Sequence, residues 1–419
     1  VNNIHIYLEN DQPKASVYRY EERLLLKNIP GSRTKETVSF STWSQDLKAL
    51  EGWAMVPDGK RYKKVEVDDY IYKDELSGSI FHDDVQSRTF YYPSSSKGSK
   101  LNMEYEMELQ DARFLPSTLL STYLPAEKLE VNITWDKDID LETIFYNADE
   151  EDFNVIRDED RKEYRLTIRE KIDQPFDYEP DGPSVRYYVP LLLLRVNAYE
   201  VDGKNIRFLK DVGDLHDYYQ NFISSINKTE DPSLKTIVDS LVSPGDAPIE
   251  KVRKIYYWVQ DNIKYVAFEE GDQGFIPSDA AKVCKSRFGD CKGMSSILTV
   301  MLKMAGVDGK LAWVGSRDIP YQYTEIASPI TDNHMIAVYV EDEKPYFLDA
   351  TGKNVPLDQT TPFIQGKEVL VHISEGEYQL LKVPVEAPES NVITDSLKLE
   401  IKDKDLVGSG KLTFTGLYR

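Results

Sequence analysis

The feature that most constrains this chain is a change in hydrophobic period partway along it. From about Lys14 to Leu209 apolar and polar residues alternate, as in Ala15-Ser-Val-Tyr-Arg-Tyr, Lys64-Val-Glu-Val, Lys128-Leu-Glu-Val-Asn-Ile-Thr-Trp and Tyr164-Arg-Leu-Thr-Ile-Arg. A period of two puts one side chain in the core and the next in water, the mark of antiparallel strands with one wet face. Turn clusters such as Pro57-Asp-Gly, Tyr92-Pro-Ser-Ser-Ser and Asp202-Gly break the pattern into short strands. The reading is an all-β sandwich of roughly 200 residues, with no internal repeat of fixed period.

Near Asp211 the spacing becomes helical. His216 to Ile226 reads as one helix and Ser233 to Leu241 as another; a third opens at Asp246 and Pro248, with Ile249, Val252, Tyr256, Val259 and Ile263 on one face. A further helix begins at Cys291 and stops at Gly306. Two strands follow, His334 to Val340 and Pro345 to Leu348, so this part is α+β. Beyond Gln365 the alternation returns, in Ser396-Leu-Lys-Leu-Glu-Ile and Lys411-Leu-Thr-Phe-Thr. At about 150 residues per domain, 419 residues divide into an N-terminal β-sandwich over 1–228, an α+β core over 229–365 and a C-terminal β segment over 366–419, cut short if the natural chain runs on.

Composition removes several function classes. A net charge of −21 repels phosphate backbones and anionic lipid surfaces, which excludes nucleic acid as a partner. The longest apolar run, Tyr187 to Leu194, contains Pro190 and falls far short of the about 20 residues of a spanning helix. Cys284 and Cys291 are the two cysteines, too few for a disulfide framework and wrongly spaced for a zinc knuckle. The sequence opens at Val1 without a charged-then-apolar leader, so any targeting segment is expected to have been removed.

The richest stretch for chemistry is Phe288-Gly-Asp-Cys-Lys-Gly-Met-Ser-Ser. Asp290 suits an N-cap, and Cys291 then falls in the first turn, where free N–H groups and the helix dipole favour a thiolate. Asp290 opposes this through like charge, and a buried inert cysteine is the plain alternative. Of the five histidines, His334 alone heads an apolar strand. A hairpin turn centred on Glu341-Asp342 sets His334 directly opposite Asp349; one centred on Asp342-Glu343 leaves them diagonal on one face; a turn centred between these two puts them on opposite faces. Asp349 ends the apolar run Tyr346-Phe-Leu, where a carboxylate needs a partner, although it also suits the Asp-Ala-Thr-Gly turn. Cys291, His334 and Asp349 supply nucleophile, base and orienting carboxylate. The backbone N–H of Cys291 is a natural oxyanion donor, with Tyr265 or Gln273 as candidates for the second. Trp258 and Trp313 read as core aromatics.

Tyr256-Tyr-Trp-Val-Gln-Asp-Asn-Ile-Lys-Tyr, Gly274-Phe-Ile-Pro-Ser-Asp-Ala-Ala-Lys-Val, Arg287-Phe-Gly-Asp-Cys-Lys-Gly, Leu302-Lys-Met-Ala-Gly-Val, Asn333-His-Met-Ile-Ala-Val and Phe347-Leu-Asp-Ala-Thr together resemble the transglutaminase-like core of the papain-like cysteine enzymes. The β region ahead of it resembles the uncharacterised N-terminal domain that accompanies this core in a bacterial subgroup, usually exported. The resemblance implies a fold of N-terminal all-β sandwich, transglutaminase-like core and C-terminal strands, with Cys291 as nucleophile, His334 as base and Asp349 as third member. It implies a cysteine enzyme acting on an amide or peptide carbonyl through a thioester, more often by hydrolysis than by amine transfer, outside the cytoplasm, with a protein or peptide substrate and no cofactor. The sequence departs from the family pattern at Gly293, where many relatives carry an acidic residue. Cys284 has no role in that pattern; packing is its expected part, and a disulfide with Cys291 the remote one. The rival expectation is a silent binding or scaffolding module of the cell envelope.

Overall fold

The structure is a computed structural model, and it describes residues 1–74, 80–160, 162–177, 179–180, 182–229, 231–269 and 274–418. The chain forms two compact units, one of residues 1–215 with 268–274 and 323–331, the other of 216–267, 275–322 and 332–419.

The first unit is built of strands. Its largest sheet has eight, in the order Val155–Glu159, Glu163–Ile172, Ala126–Asp136, Asn2–Glu9, Gln12–Leu24, Lys100–Leu109, Gln45–Asp58 and Arg61–Glu66. Alternation decides which side chains are inside: Ile4, Ile6, Ala15, Val17, Val131, Ile133, Leu166 and Ile168 are buried. Asn2–Glu9 pairs parallel with Ala126–Asp136, whereas its other neighbour is antiparallel. A period of two reports faces and carries no information on a neighbour's direction, so the sequence reading expected antiparallel pairs throughout. The apolar run ending at Leu194 enters the strand Leu191–Val201, whose Leu191, Leu192, Leu193 and Leu194 are all buried, so both faces are covered.

The second unit carries helix α1 (Val212–Ile223, shared with the first unit), α2 (Pro232–Leu241), α3 (Pro248–Asn262), α4 (Ala280–Ser286) and α5 (Cys291–Met304). Its sheet has five antiparallel strands in the order Lys344–Leu348, His334–Glu341, Lys310–Val314, Glu368–Ser374 and Glu377–Lys382. Ala337, Tyr339 and Leu348 pack with the helices; Ile336, Val338 and Phe347 join Ala312, Val314, Ile364 and Val369 in a second cluster. Residues 291 to 298 of α5 are buried on every side, so this helix is an interior one. The alternation beyond Gln365 first supplies two strands of this sheet. It then forms the hairpin Ile393–Lys402 and Asp405–Phe414, whose strands pair with each other and are exposed along their whole length.

Candidate active site

The site is assembled from the start of α5 and from the hairpin that carries His334. Phe288–Gly289 pairs parallel with Lys264–Tyr265 and leads into α5. Asp290 caps the helix: its Oδ1 accepts the Gly293 N–H at 2.7 Å. Its other oxygen forms an ion pair with the buried Lys292 ammonium. The carboxylate expected to oppose a thiolate at Cys291 is thus capped and charge-compensated. Cys291 is 6% exposed.

The hairpin turns on Asp342 and Glu343, both at positive φ (48° and 65°), which is the type I′ arrangement. Its register runs from Glu341 opposite Lys344 to Ala337 opposite Leu348. His334 and Asp349 therefore do not face each other directly, as a turn on Glu341-Asp342 would have required. They take the diagonal arrangement, on the face that carries Val338 and Phe347. Both are buried, and His334 Nε2 lies 3.3 Å from Asp349 Oδ2. The N–H is not directed at that oxygen, so the contact is an ion pair at hydrogen-bond distance without hydrogen-bond alignment.

Burial pulls the imidazole pKa down, but the charge of the Asp349 carboxylate, with a smaller contribution from Cys291, outweighs it and raises the pKa to about 10. Burial pushes the Asp349 carboxyl up; the imidazole together with the Thr351 and Thr361 hydroxyls reverses this and holds it below the ordinary carboxylate range. The two signs agree: the pair is stable as imidazolium and carboxylate.

Asp349 meets both expectations placed on it. Oδ1 accepts the Thr351 N–H at 3.2 Å and the Thr351 hydroxyl at 2.6 Å, closing the Asp-Ala-Thr-Gly turn, while Oδ2 turns to His334 and accepts the Thr361 hydroxyl at 2.8 Å. The Tyr256 hydroxyl donates to the Asp349 backbone carbonyl at 3.0 Å, and both ends of the Gln260 amide bond Val355, so α3 braces the segment that follows. On the cysteine side, the Ser295 hydroxyl lies 2.8 Å from the Cys291 carbonyl and 3.0 Å from that of Met335, linking the first turn of α5 to the residue after His334. Tyr256 reads in the sequence only as an apolar-face residue of its helix, and the contacts of Thr351, Thr361 and Ser295 with the site went unread. The i, i+4 spacing of Ser295 from Cys291 was the one available signal.

Tyr265 pairs in register with Gly289, and its ring packs on the helical core. Gln273 lies outside the described residues. Cys284 is a buried free thiol of α4, pushed up in pKa by burial, and Cys291 is likewise a free thiol. Trp313 is buried and stacks on Tyr219 at 4.9 Å; Trp258 is partly buried against the helical core under the Arg287 guanidinium. A Cβ at Gly293 would meet Val283 Cγ2 at 3.1 Å and Asp290 Oδ1 at 3.4 Å, so an acidic side chain there would press on the cap itself. The cluster of metal-ligating groups among the described residues, His5, Asp136 and Glu163, is in the first unit. No helix of the described residues is long and apolar enough to cross a membrane.

Comparison with known proteins agrees with this architecture. Residues 14–171 match the domain of unknown function DUF3857, and residues 235–342 match the transglutaminase-like superfamily. Kyphoscoliosis peptidase of Mus musculus is 27% identical over 168 residues, which are 39% of this chain and 24% of the mouse protein; that of Homo sapiens is 26% identical over the same length and shares. The match thus spans about a quarter of the length of these relatives. A crystal structure from Parabacteroides distasonis, described as a candidate protease, superposes with a TM-score of 0.65 at 12% identity, covering 91% of this chain and 70% of its own, a likeness of fold alone. The chain thus carries a DUF3857 domain followed by a transglutaminase-like domain.

Proposed function

We propose that the chain is a cysteine enzyme that cleaves an amide or peptide bond through a thioester on Cys291, with His334 as acid and base and Asp349 holding the imidazole. The observation that carries this reading is a buried imidazole 3.3 Å from the Asp349 carboxylate, raised in pKa by that carboxylate and by Cys291 at the start of α5.

In this reading Cys291 Sγ attacks the carbonyl carbon, and the oxyanion is received by the Cys291 N–H, with Tyr265 and Gln273 as candidates for the second donor. As the C–N bond breaks, His334 gives its proton to the departing amine and a thioester remains. His334 then takes a proton from the second nucleophile, which attacks the thioester and releases the Cys291 thiolate beside the restored imidazolium. Water gives hydrolysis and a free acid; an amine gives transfer. We favour water, because the relative in mouse and human is named a peptidase. All the residues used fall within 229–365, and the sheet of this core is completed by Glu368–Ser374 and Glu377–Lys382, with the β region of residues 1–215 ahead of it and the hairpin of residues 393–414 after it. The substrate is a protein or peptide, and the family likeness favours a place outside the cytoplasm.

The test is cleavage of an undirected peptide library followed by mass spectrometry, with and without a primary amine, for the parent chain and Cys291→Ala. New free carboxyl termini that vanish in the variant support hydrolysis, and amine adducts would replace it with transfer. No Cys291-dependent product from peptides or glutamine amides would overturn the reading.

A further inference from the structure

The proposed role of Asp349 requires its carboxylate to be held in one plane, and the His334 contact does not do this, because the N–H of the ring is not aimed at Oδ2. Thr351 fixes Oδ1 alone, which leaves the carboxylate free to pivot about that oxygen. The second fixed point is the Thr361 hydroxyl, buried, 2.8 Å from Oδ2, the same oxygen that faces the imidazole. Two residues on, the Phe363 ring stands edge-on to His334, with centroids 5.2 Å apart and planes at 86°. One short segment therefore touches both members of the pair.

That segment is itself anchored. The Thr360 hydroxyl donates to the Pro384 carbonyl at 3.3 Å and the Thr360 N–H to Glu386 Oε1 at 3.3 Å; Gln365 Nε2 donates to the Thr360 carbonyl at 3.0 Å, and the Arg317 N–H to the Phe363 carbonyl at 2.9 Å. We propose that Thr361 is a positioning residue for the cysteine chemistry: its hydroxyl sets the plane of Asp349 and so keeps the imidazolium in place beside Cys291, with Phe363 fixing the ring. The inference rests on the function proposed above, and it concerns a residue that lies outside the triad and touches no reacting atom.

The test is the rate of Cys291 alkylation by iodoacetamide from pH 5 to 9 in the full chain and in Thr361→Val, Thr361→Ala and Thr361→Ser, with melting temperatures alongside. Ala and Ser leave similar space and differ by the hydroxyl, so that pair remains decisive if Val perturbs folding. Loss of a hydrogen bond to a charged group is worth about tenfold. The expected result is an about tenfold slower rate at pH 6 for Ala and Val, with the acid limb displaced to higher pH, and a parent-like profile for Ser. Ala and Ser profiles that coincide would overturn the proposal, whatever happens to the melting temperatures. Slow parent alkylation that ignores His334→Ala would instead sink the proposed function, and this role with it. Fast parent alkylation that slows in His334→Ala but ignores the Thr361 hydroxyl would sink this role alone.

Discussion

His334 and Asp349 are diagonal rather than facing residues of their hairpin, yet Nε2 and Oδ2 are 3.3 Å apart. The strand ladder ends with Ala337 opposite Leu348, and the Asp349 N–H bonds the Phe347 carbonyl at 3.2 Å, so Asp349 leaves the ladder as it turns toward the imidazole. Diagonal same-face positions remain within reach of long side chains, and here both side chains lean into the gap.

The pair links stability to pH with a defined sign. His334 is raised in the fold, so its contribution is complete below about pH 6.5 and is lost as pH climbs through the folded value; Asp349 is lowered, so its contribution is complete above about pH 4 and is lost as pH falls. Urea unfolding of the parent and of His334→Gln should give a stability gap that narrows from pH 6 to pH 9, by at most about 1.4 kcal/mol per pH unit. A gap that stays constant would contradict the assignment.

A second pair of histidines works the other way. His216 is wholly buried, its Nε2 lies 2.9 Å from His372 Nδ1, and its own Nδ1 has no hydrogen-bond partner, Asp217 Oδ1 lying 3.9 Å away. Burial lowers both pKa values, against a small opposing pull on His216 from Asp217; His216 and Lys310 lower His372 further, and the Tyr378 ring packs against His216. Stability from this pair is therefore complete above about pH 6.5 and lost as pH falls. Unfolding measured between pH 7.5 and pH 5 should show a decline that His216→Phe with His372→Leu largely removes; an unchanged slope would count against it.

The legible parts of this chain were those with a local signal. The helices after Asp231, the cysteine at a helix start and the histidine at a strand head all followed from caps and periods. Helix α4 has seven residues, too few for a period to declare itself. Lys292 compensates Asp290 although i, i+2 residues do not meet on a helix surface, because Asp290 is the cap and lies outside the helix. Thr361 reaches Asp349 from an irregular segment, and His216 meets His372 across 156 positions, and neither leaves a pattern in one sequence.

Ser295 ties Cys291 to the strand of His334 through two carbonyls. Ser295→Ala should cost about 1 kcal/mol of stability and slow Cys291 alkylation, read by urea unfolding and by the rate at pH 6. A variant equal to the parent in both would show that the link is idle.

Gly293 sits against Val283 and the Asp290 cap. Gly293→Asp should destabilise by about 1–3 kcal/mol through overpacking, seen as a lower melting temperature, with Gly293→Ala milder. A more stable Asp variant would mean that the cap region yields more than its contacts allow.

If Cys291 and His334 act as one unit, alkylation by iodoacetamide at pH 6 reports it, with the site of modification read by peptide mass spectrometry. Fast modification of Cys291 is expected, with Cys284, a thiol pushed up in pKa, spared, and a rate at least about tenfold slower in His334→Ala, the scale of one charge-assisted hydrogen bond. A sluggish Cys291 whose rate is the same with and without the imidazole would contradict it.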